Sequence, residues 1–420
     1  MRVFTDLQQL PSFRNTVLTI GSFDGVHAGH RRILEKVQAL AAQHQAESVV
    51  LTFEPHPRAV LQPDDPNFKL ITLSNEKIKL LEQCGPDHVV LAPFTPDFAQ
   101  LSAQEYVENF IIRLFQPKYL VIGYDHRFGA NREGNIDFLR RYEAAGEFSI
   151  LEIPAQEVDE IAVSSTKIRR ALESAEMEYA NRLLGHPYFF TGPVVEGNRI
   201  GRELGFPTAN IQIADRHKLI PPHGIYAARV YPEGKFGGSH PGINAMLYIG
   251  QRPSIVNSNG KSIEVNLLDF EGDLYGQQLA VEVLKFIRPD KKLDGLEALK
   301  TQIEADKGKI LTYFSSRTAI VILNYNTREH LRTYLPSILQ NSRQARIIAA
   351  DNGSPDDSRE VLKNEFPQVE LLDLKQNYGF AQGYNQALAQ VESDIYVILN
   401  SDVEVSPGWM EPILQAMRAN

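Results

Sequence analysis

The sequence predicts a multi-domain protein of the α/β plus β class, in which two regions of alternating strands and helices flank a small antiparallel β-barrel. Its 420 residues exceed what one hydrophobic core usually serves, so two or three domains are expected. Short β-rich runs alternate with helical patterns near both ends, as in parallel sheets with crossover helices. Between them, short strands are separated by Gly and Pro turns, which is typical of a barrel.

The first region, residues 1–184, contains several short β-rich runs. Examples are V-V-L-T-F (49–53), Y-L-V-I-G (119–123) and S-I-L-E-I (149–153). Segments with apolar residues at helical spacing lie between them. This alternation predicts a parallel sheet whose strands are connected by helices.

The second region, residues 185–316, has strands such as G-I-Y-A-A-R-V (224–230) and I-E-V-N-L-L-D-F (263–270). A helix is predicted at its end, from L-D-G-L-E-A-L-K-T-Q-I-E-A-D (293–306). The pattern therefore indicates a barrel followed by a closing helix.

In the third region, residues 317–420, strands and helices alternate again. The strands are A-I-V-I-L-N (319–324), R-I-I-A-A-D (346–351) and D-I-Y-V-I-L-N (394–400). This region is predicted to be a second α/β unit.

The composition is that of an ordinary globular protein, with 43% hydrophobic and 23% charged residues. A net charge of −9 argues against a general nucleic-acid-binding protein, although local basic clusters can hold phosphates. The single cysteine, Cys84, excludes an intrachain disulfide and a cysteine-based metal site. The N-terminus lacks an apolar signal core and no apolar run approaches ~20 residues, so we expect a cytoplasmic protein without membrane spans.

The most informative stretch is G-S-F-D-G-V-H-A-G-H (21–30), between a predicted strand and a predicted helix. Such a turn lies at the carboxyl edge of a parallel sheet, where open α/β folds bind ligands. Glycines there let the backbone approach a ligand, and a helix N-terminus favours phosphate. The candidate phosphate-binding residues of this turn are Gly21, Phe23, Gly25 and Gly29.

His27 and His30 are three residues apart and share one face of the first helical turn. Two imidazoles there can donate hydrogen bonds to phosphate oxygens that gain charge in a transition state. The pair is also compatible with capping or solvent-facing histidines. A zinc site is a further alternative, but no third ligand lies nearby in the sequence.

A second motif, S-S-T-K-I-R (164–169), opens a predicted helix at the far end of the same region. Ser, Thr and basic side chains suit the triphosphate of ATP, but Ser and Thr are also ordinary helix caps. Together with H-x-G-H after the first strand, this motif resembles the nucleotidylyltransferase superfamily, whose members transfer a nucleotide from ATP onto a phosphate.

The second region contains further motifs in a fixed order. They are G-P-V-V-E-G-N-R-I-G-R-E-L-G-F-P-T-A-N (192–210), I-G-Q-R-P-S (249–254) and I-E-V-N-L-L-D-F-E-G-D-L-Y-G (263–276). This order resembles the riboflavin kinase barrel, and the arrangement from residue 1 to about 314 resembles the bacterial bifunctional riboflavin kinase/FAD synthetase family. The resemblance implies a Rossmann-like nucleotidylyltransferase domain and a six-stranded barrel with a C-terminal helix.

In the barrel, the resemblance implies that Glu264 takes the proton from the ribityl hydroxyl as that oxygen attacks the γ-phosphate of ATP. It also implies contacts to ATP from Gly197 and Gly201 and to Mg²⁺ from Thr208 and Asn210. The strand pattern alone leaves an alternative, in which Glu264 is a barrel residue that faces water on the same side as Asn266.

In the first region, the resemblance implies that the FMN phosphate attacks the α-phosphate of a second ATP and releases pyrophosphate. His27 and His30 would stabilise the developing charge. The residues expected to hold phosphates are Ser164, Ser165, Thr166 and Arg169, and the flavin-site candidates are Asp125, Arg127 and Asn131. The expected ligands are riboflavin, FMN, FAD, ATP and Mg²⁺, with neither nucleic acid nor membrane as a partner.

The third region resembles, block by block, the nucleotide-sugar half of a family 2 glycosyltransferase with a GT-A fold. The blocks are A-I-V-I-L-N-Y-N-T (319–327), A-D-N-G-S-P-D-D-S (350–358), N-Y-G-F-A-Q-G-Y-N (377–385) and L-N-S-D-V-E (399–404). Asp351 would contact the nucleoside, and Asp402 a cation that bridges the sugar diphosphate. In that family the acceptor site and catalytic base follow this half, so we expect a partial GT-A domain that does not transfer sugar.

Two other functions fit the same motifs. The first region can adenylylate a different phosphorylated alcohol, with the barrel as a flavin-binding module, although the P-T-A-N and Glu264 blocks argue against this. The chain can also be a catalytically silent flavin-binding protein, which the presence of all presumed catalytic residues disfavours. Incubation with riboflavin, ATP and Mg²⁺ separates the three, because only the bifunctional enzyme forms FAD.

Overall fold

The structure is a computed structural model that describes residues 1–123, 126–153, 163–197, 205–232, 234, 242–251, 261–268, 270, 272–342, 345–410 and 412–413. These residues form two parallel sheets with helices and, between them in the chain, a closed antiparallel barrel. The predicted α/β plus β class is confirmed. No helix in these ranges combines the length and the apolar character needed to cross a bilayer.

The first sheet has six parallel strands: β1 (Arg2–Phe4), β2 (Val17–Ile20), β3 (Ser48–Glu54), β4 (His88–Pro93), β5 (Tyr119–Gly123) and β6 (Ser149–Ile153). Their order is β1-β4-β3-β2-β5-β6. The order of the strands reverses at β2, and the crevice between the carboxyl ends of β2 and β5 is the usual ligand position in such sheets.

Several helices accompany this sheet. The α-helices are Ala28–His44, Pro57–Leu61, Ser74–Gln83, Pro96–Ala99, Ala103–Glu105, Arg113–Phe115, Ile136–Ala144, Ser165–Glu173 and Met177–Leu184. A π-helix spans Tyr106–Ile112, and 3₁₀ turns span Leu7–Gln9 and Ala130–Arg132.

The helix after β2 forms for reasons that are visible in its sequence. His27 is its N-cap, since its Nδ1 accepts a hydrogen bond from the amide of His30. The buried side chains of Leu34 and Val37 recur at helical spacing. The helix ends at Gln45, which adopts a left-handed conformation with φ of 49°.

The barrel closes in the order β10-β11-β8-β7-β12-β9. Its strands are β7 (Tyr188–Val195), β8 (Ala209–Ile211), β9 (Gly224–Pro232), β10 (Ile243–Gly250), β11 (Ser262–Leu267) and β12 (Gln278–Pro289). The helix Leu296–Ser316 follows the barrel. It is attached to β12 by an ion pair of 2.7 Å between Arg288 Nη2 and Asp306 Oδ2.

The third sheet has four parallel strands in the order β15-β14-β13-β16. They are β13 (Thr318–Asn324), β14 (Arg346–Asp351), β15 (Glu370–Asp373) and β16 (Ile395–Asn400), with helices Arg328–Asn341, Ser358–Glu365 and Phe380–Leu388. β16 is an edge strand on which Ile398 is 53% exposed, so this edge presents apolar surface to solvent. Only Arg317 separates the preceding helix from β13.

Candidate active sites

The loop between β2 and its helix has an unusual backbone. Three of its residues lie in the left-handed region, with φ of 48° at Phe23, 85° at Gly25 and 39° at Val26. Residues with a Cβ are strained there, and such strain concentrates at functional sites. Gly25 avoids this strain, but an added Cβ would lie 3.0 Å from Ile71 Cγ2. The loop is therefore tightly confined by its surroundings, and Gly29 is buried in the following helical turn.

The two predicted catalytic histidines lie against each other, with ring centroids 3.6 Å apart. The backbone amide of His30 donates to His27 Nδ1 over 3.3 Å, so the proton of a neutral His27 ring is on Nε2. Burial lowers the pKa of His27 to about 4 and the pKa of His30 well below its ordinary value of 6.5. Both rings are therefore neutral at pH 7, and each has one N–H to donate.

Asp24 joins this loop to the S-S-T-K-I-R helix. Its carboxylate forms an ion pair of 2.6 Å with Arg169 Nη2 and accepts hydrogen bonds from the amides of Ile71 and Thr72. Arg169 Nε donates to the carbonyl oxygen of Lys69 over 2.8 Å. Two guanidinium nitrogens of Arg169 are thus engaged within the protein. Arg169 holds the loop in place, and its contact to phosphate stays a prediction.

The hydroxyl residues of the same motif have different surroundings. Ser164 Oγ caps its helix by accepting a hydrogen bond from the amide of Lys167 over 3.3 Å, the ordinary capping role that the sequence left open. Ser165 Oγ donates to the carbonyl oxygen of Asp24 over 3.3 Å. Thr166 is exposed. The motif is therefore in direct contact with the H-x-G-H loop.

Lys77 is a buried cation behind the same loop. Its Nζ donates to the carbonyl oxygen of Ser22 at 3.3 Å, to Thr52 Oγ1 at 3.0 Å and to the carbonyl oxygen of Phe53 at 3.4 Å. All three acceptors are neutral, and burial lowers the pKa of the ammonium group. Because Ser22 and Phe53 also line the cavity described next, Lys77 lies directly behind the wall of that cavity.

A cavity of about 500 Å³ opens at the carboxyl ends of β2 and β3. The predicted flavin-site residues Arg127 and Asn131 line it together with Gly21. Its aromatic lining consists of Phe53, Phe94, Phe98, Tyr106, His126 and Phe128. An apolar cavity with an arginine in its wall suits a flat aromatic ligand that carries a phosphate. Asp125, the third flavin-site candidate, lies outside the described residues.

A second cavity, of about 410 Å³, lies between the barrel and its closing helix. Thr208, Glu264 and Asn266 all line it. Thr208 Oγ1 lies 3.4 Å from Glu264 Oε2, and Ser262 Oγ donates to Glu264 Oε1 over 3.3 Å. The predicted base therefore faces this cavity, with its carboxylate oriented by two hydroxyl groups.

Asn210 lies beside this cavity, paired with Glu264 across the two strands. Gly197 packs against it so closely that an added Cβ would lie 2.1 Å from Asn210 Nδ2. A larger residue at this position would have to displace the Asn210 side chain. Gly201, the other predicted glycine, lies outside the described residues.

The closing helix supplies the opposite wall of the second cavity through Leu299 and Ile303. Asp306 anchors this helix, with its two oxygens 2.9 Å and 3.0 Å from Arg288 Nε. Tyr248, also in the lining, donates to Asp290 Oδ2 over 3.0 Å. Barrel and helix are thereby joined around the cavity.

The third region has a buried polar cluster at the carboxyl ends of β13 and β14. Asp351 is fully buried, and its carboxylate accepts from Asn324 Nδ2 at 2.9 Å and from the amide of Ser354 at 3.1 Å. Both oxygens accept hydrogen bonds within the protein, and the expected contact of Asp351 with a nucleoside stays a prediction. Asp402 is exposed after β16. Within the described ranges, no three His, Cys, Asp or Glu side chains are placed to hold a metal ion.

Sequence reasoning missed Asp24, Lys77 and the pair of Arg288 and Asp306. Asp24 stands inside the quoted loop motif, directly before Gly25, and an Asp-Gly pair in a turn, where Asp side chains bond nearby backbone, was the signal that could have identified it. No sequence pattern around Lys77, Arg288 or Asp306 indicates their roles. These roles depend on partners that are distant in the sequence and that the fold brings into contact.

Comparison with known proteins identifies three families along the chain. The FAD synthetase family model matches residues 10–167, the riboflavin kinase model residues 184–314 and the glycosyl transferase family 2 model residues 319–420.

Several relatives carry the name bifunctional riboflavin kinase/FMN adenylyltransferase. The protein from Listeria monocytogenes is 36% identical over 301 residues, which are 72% of this chain and 93% of the relative. The Escherichia coli protein is 37% identical over 309 residues, 73% of this chain and 95% of the relative. A crystal structure described as a macrolide-efflux protein from Streptococcus pneumoniae is 30% identical with a TM-score of 0.63, covering 73% of this chain and 97% of that one.

Proposed function

Because the chain belongs to the bifunctional riboflavin kinase/FMN adenylyltransferase family, we propose that its two cavities divide the two reactions. The barrel phosphorylates riboflavin to FMN, and the first sheet adenylylates FMN to FAD, with ATP as co-substrate of both. One observation carries this assignment: the candidate residues that line each cavity all belong to one reaction, although His27 and His30 are not in the lining of the first. The lining candidates include Arg127 and Asn131 in the first cavity, and Thr208 and Glu264 in the second.

In the kinase site, Glu264 is the general base. It takes the proton of the ribityl hydroxyl as that oxygen bonds to the γ-phosphorus of ATP, while the bond from the γ-phosphorus to the bridging oxygen breaks and ADP leaves. The hydroxyls of Thr208 and Ser262 lie 3.4 Å and 3.3 Å from the carboxylate and hold it in one orientation. The closing helix covers one side of the cavity through Leu299 and Ile303 and would limit the access of water, which competes with riboflavin for the phosphoryl group.

Thr208 and Asn210 are the residues that would hold Mg²⁺ in this site. Thr208 Oγ1 and the Glu264 carboxylate lie within 3.4 Å of each other, and Asn210 adjoins Glu264 on the neighbouring strand. Neutral and anionic oxygens thus gather at one corner, as a hard cation requires. Bound there, Mg²⁺ would neutralise charge on the phosphates of ATP.

In the adenylyl-transfer site, a phosphate oxygen of FMN bonds to the α-phosphorus of ATP and pyrophosphate leaves. The proton on His27 Nε2 and one proton on His30 are available to hydrogen-bond the phosphate oxygens on which charge develops. Lys77 adds a positive charge behind the cavity wall, where a low dielectric strengthens its attraction for the anionic ligands. Arg127 lies in the same cavity and is the proposed partner of the FMN phosphate.

For the third region, we propose that it is idle in sugar transfer. The support is the burial of Asp351 and the engagement of both its oxygens within the protein. Release of nucleoside diphosphate from uridine and guanosine diphosphate sugars is the test. Clear turnover of either would overturn the proposal.

The test of the main proposal is incubation of the full chain with riboflavin, ATP and Mg²⁺, followed by chromatography of the flavins. FMN should appear first and FAD after it. If the chain forms FMN but never FAD, the first sheet acts on another phosphorylated alcohol. If riboflavin is bound but unchanged, the chain is a flavin-binding protein and both assignments fail.

A further inference from the structure

We infer that the kinase barrel is a structural part of the adenylyl-transfer site. Residues 68–73 of the first region, which we call the bridging segment, are held by the barrel on one side and hold the H-x-G-H loop on the other. The inference rests on the proposed function, because it concerns the adenylyl-transfer step. It assigns positioning roles to Lys218 and Glu76, which no sequence motif indicated.

Lys218 lies between β8 and β9 and reaches the bridging segment from the barrel side. Its side chain is completely buried, with an ion pair of 2.6 Å to Glu76 Oε2. Its Nζ also donates to the carbonyl oxygen of Ile71 at 2.7 Å and to that of Phe189 at 2.8 Å. Glu76 Oε1 accepts in turn from the amide of Thr191 at 2.9 Å. Lys218 of the barrel is therefore also bonded to Ile71 of the first region, and Glu76 of the first region is also bonded to Thr191 of the barrel.

Backbone hydrogen bonds join the same two segments. The amide of Leu70 donates to the carbonyl oxygen of His217 over 2.7 Å, and the amide of Leu219 donates to the carbonyl oxygen of Leu70 over 2.9 Å. Lys69 Nζ donates to the carbonyl oxygen of Arg216 over 2.9 Å. The bridging segment thus pairs with the barrel much as one strand pairs with another.

The other side of the bridging segment holds the catalytic loop. The amides of Ile71 and Thr72 donate to the carboxylate of Asp24 over 3.2 Å and 2.9 Å. The amide of Gly25, two residues before the first catalytic histidine, donates to Thr72 Oγ1 over 2.9 Å. Ile71 is therefore bonded through its carbonyl to Lys218 and through its amide to Asp24. It links the barrel to the loop beside a direct contact of 2.9 Å between His186 Nε2 and the carbonyl oxygen of Gly25.

This link is better explained by positioning than by stability. A buried ion pair is weak evidence for stability, because the loss of hydration offsets much of the attraction. Hydrogen-bond donors that act on a transition state, in contrast, must be held to within a fraction of an ångström. The strained loop that carries the histidines needs such support from outside, and the bridging segment provides it.

The test begins with Lys218→Met in the full chain, which removes the donor to Ile71 and keeps an apolar side chain of similar length. We expect kcat for adenylylation of supplied FMN to fall about tenfold or more, while riboflavin phosphorylation stays within about threefold. Hydrogen exchange should accelerate in peptides 21–27 and 68–73. Lys79→Met is the matched control, because Lys79 donates across the same interface to the Gly234 carbonyl; both activities should persist.

The double variant Glu76→Gln/Lys218→Met separates positioning from stability. It removes the buried carboxylate that Lys218→Met leaves unpaired, so Tm should recover toward the wild-type value. Adenylylation should stay low, because the Ile71 carbonyl still lacks its donor. Recovery of adenylylation together with Tm, or a parallel fall of both activities in Lys218→Met, would overturn the inference.

Failure of the proposed function would look different. In that case the wild-type chain does not adenylylate FMN at all. Hydrogen exchange still decides the inference then, because unchanged exchange of peptide 21–27 in Lys218→Met shows that the barrel does not support the loop.

Discussion

Mild acid should destabilise the first sheet through His27. Burial is the main cause that lowers its pKa from 6.5 to about 4; the charge of Asp24 opposes the shift, and His186 and Arg169 add to it. Because the folded-state pKa is below the unfolded-state value, protonation favours the unfolded chain. The contribution of a neutral His27 to stability is therefore complete above pH 6.5 and is lost as the pH falls toward 4.

The size of the effect follows from the two pKa values. At pH 5 the histidine of an unfolded chain is almost fully protonated, whereas His27 in the folded chain is mostly neutral. The difference corresponds to a loss of roughly 2 kcal/mol in the free energy of unfolding between pH 8 and pH 5. His30, whose pKa is also lowered, acts in the same direction.

Urea denaturation at the two pH values, read by hydrogen exchange of the buried β2 amides, reports on the first sheet separately from the other regions. His27→Gln is the control, because glutamine keeps a polar amide but does not titrate near these pH values. Its pH dependence should be smaller than that of the wild type by roughly 2 kcal/mol. Equal pH dependence in both proteins, or an NMR titration midpoint near 6.5 for His27, would refute the reasoning.

Four further predictions concern activity. His30→Ala should lower FAD formation by about 10² to 10³, as for loss of an oxyanion donor, while riboflavin phosphorylation persists; equal loss of both in a folded variant would contradict the two-site assignment. Glu264→Gln should lower FMN formation by ~10² or more while supplied FMN is still adenylylated, and near-normal kinase activity would mean that another group is the base. Ending the chain after Ser316 should leave both flavin activities within about twofold, since no residue assigned to either site follows it, and in the full chain limited proteolysis should cleave the third region first; collapse of either activity on truncation would contradict this. Lys77→Met should raise the pKa of His30, because the Lys77 charge adds to the burial and to the neighbouring His27 that lower it, and should raise KM for ATP in adenylylation only; an unchanged His30 titration by NMR would count against it.

Much of the architecture follows from local sequence patterns. The alternation of β-rich and helical segments predicted both parallel sheets, because the two periods differ and each is visible within a few residues. The closing helix was predicted from residues 293–306 and spans Leu296–Ser316. The two-residue period of β11 placed Glu264 and Asn266 on one face, and both line the same cavity.

The supporting parts of the sites have no such local pattern. Arg169 pairs with Asp24 across 145 positions, and Lys218 pairs with Glu76 across 142. A lysine such as Lys77 or Lys218 normally belongs to a solvent-exposed face. Its burial becomes visible only when the fold has placed it, so the residues that hold the histidines in position could not be predicted from the sequence.

The junction between the closing helix and β13 has a consequence for protein engineering. The helix contacts the kinase cavity through Leu299 and Ile303, and only Arg317 separates its last residue from the next strand. Each residue inserted into an α-helix turns everything downstream by about 100° and moves it by ~1.5 Å. A reporter module that replaces the third region would therefore take a different orientation relative to the flavin sites for each residue inserted into the helix. A flexible linker, in contrast, would let the module sample all of these orientations.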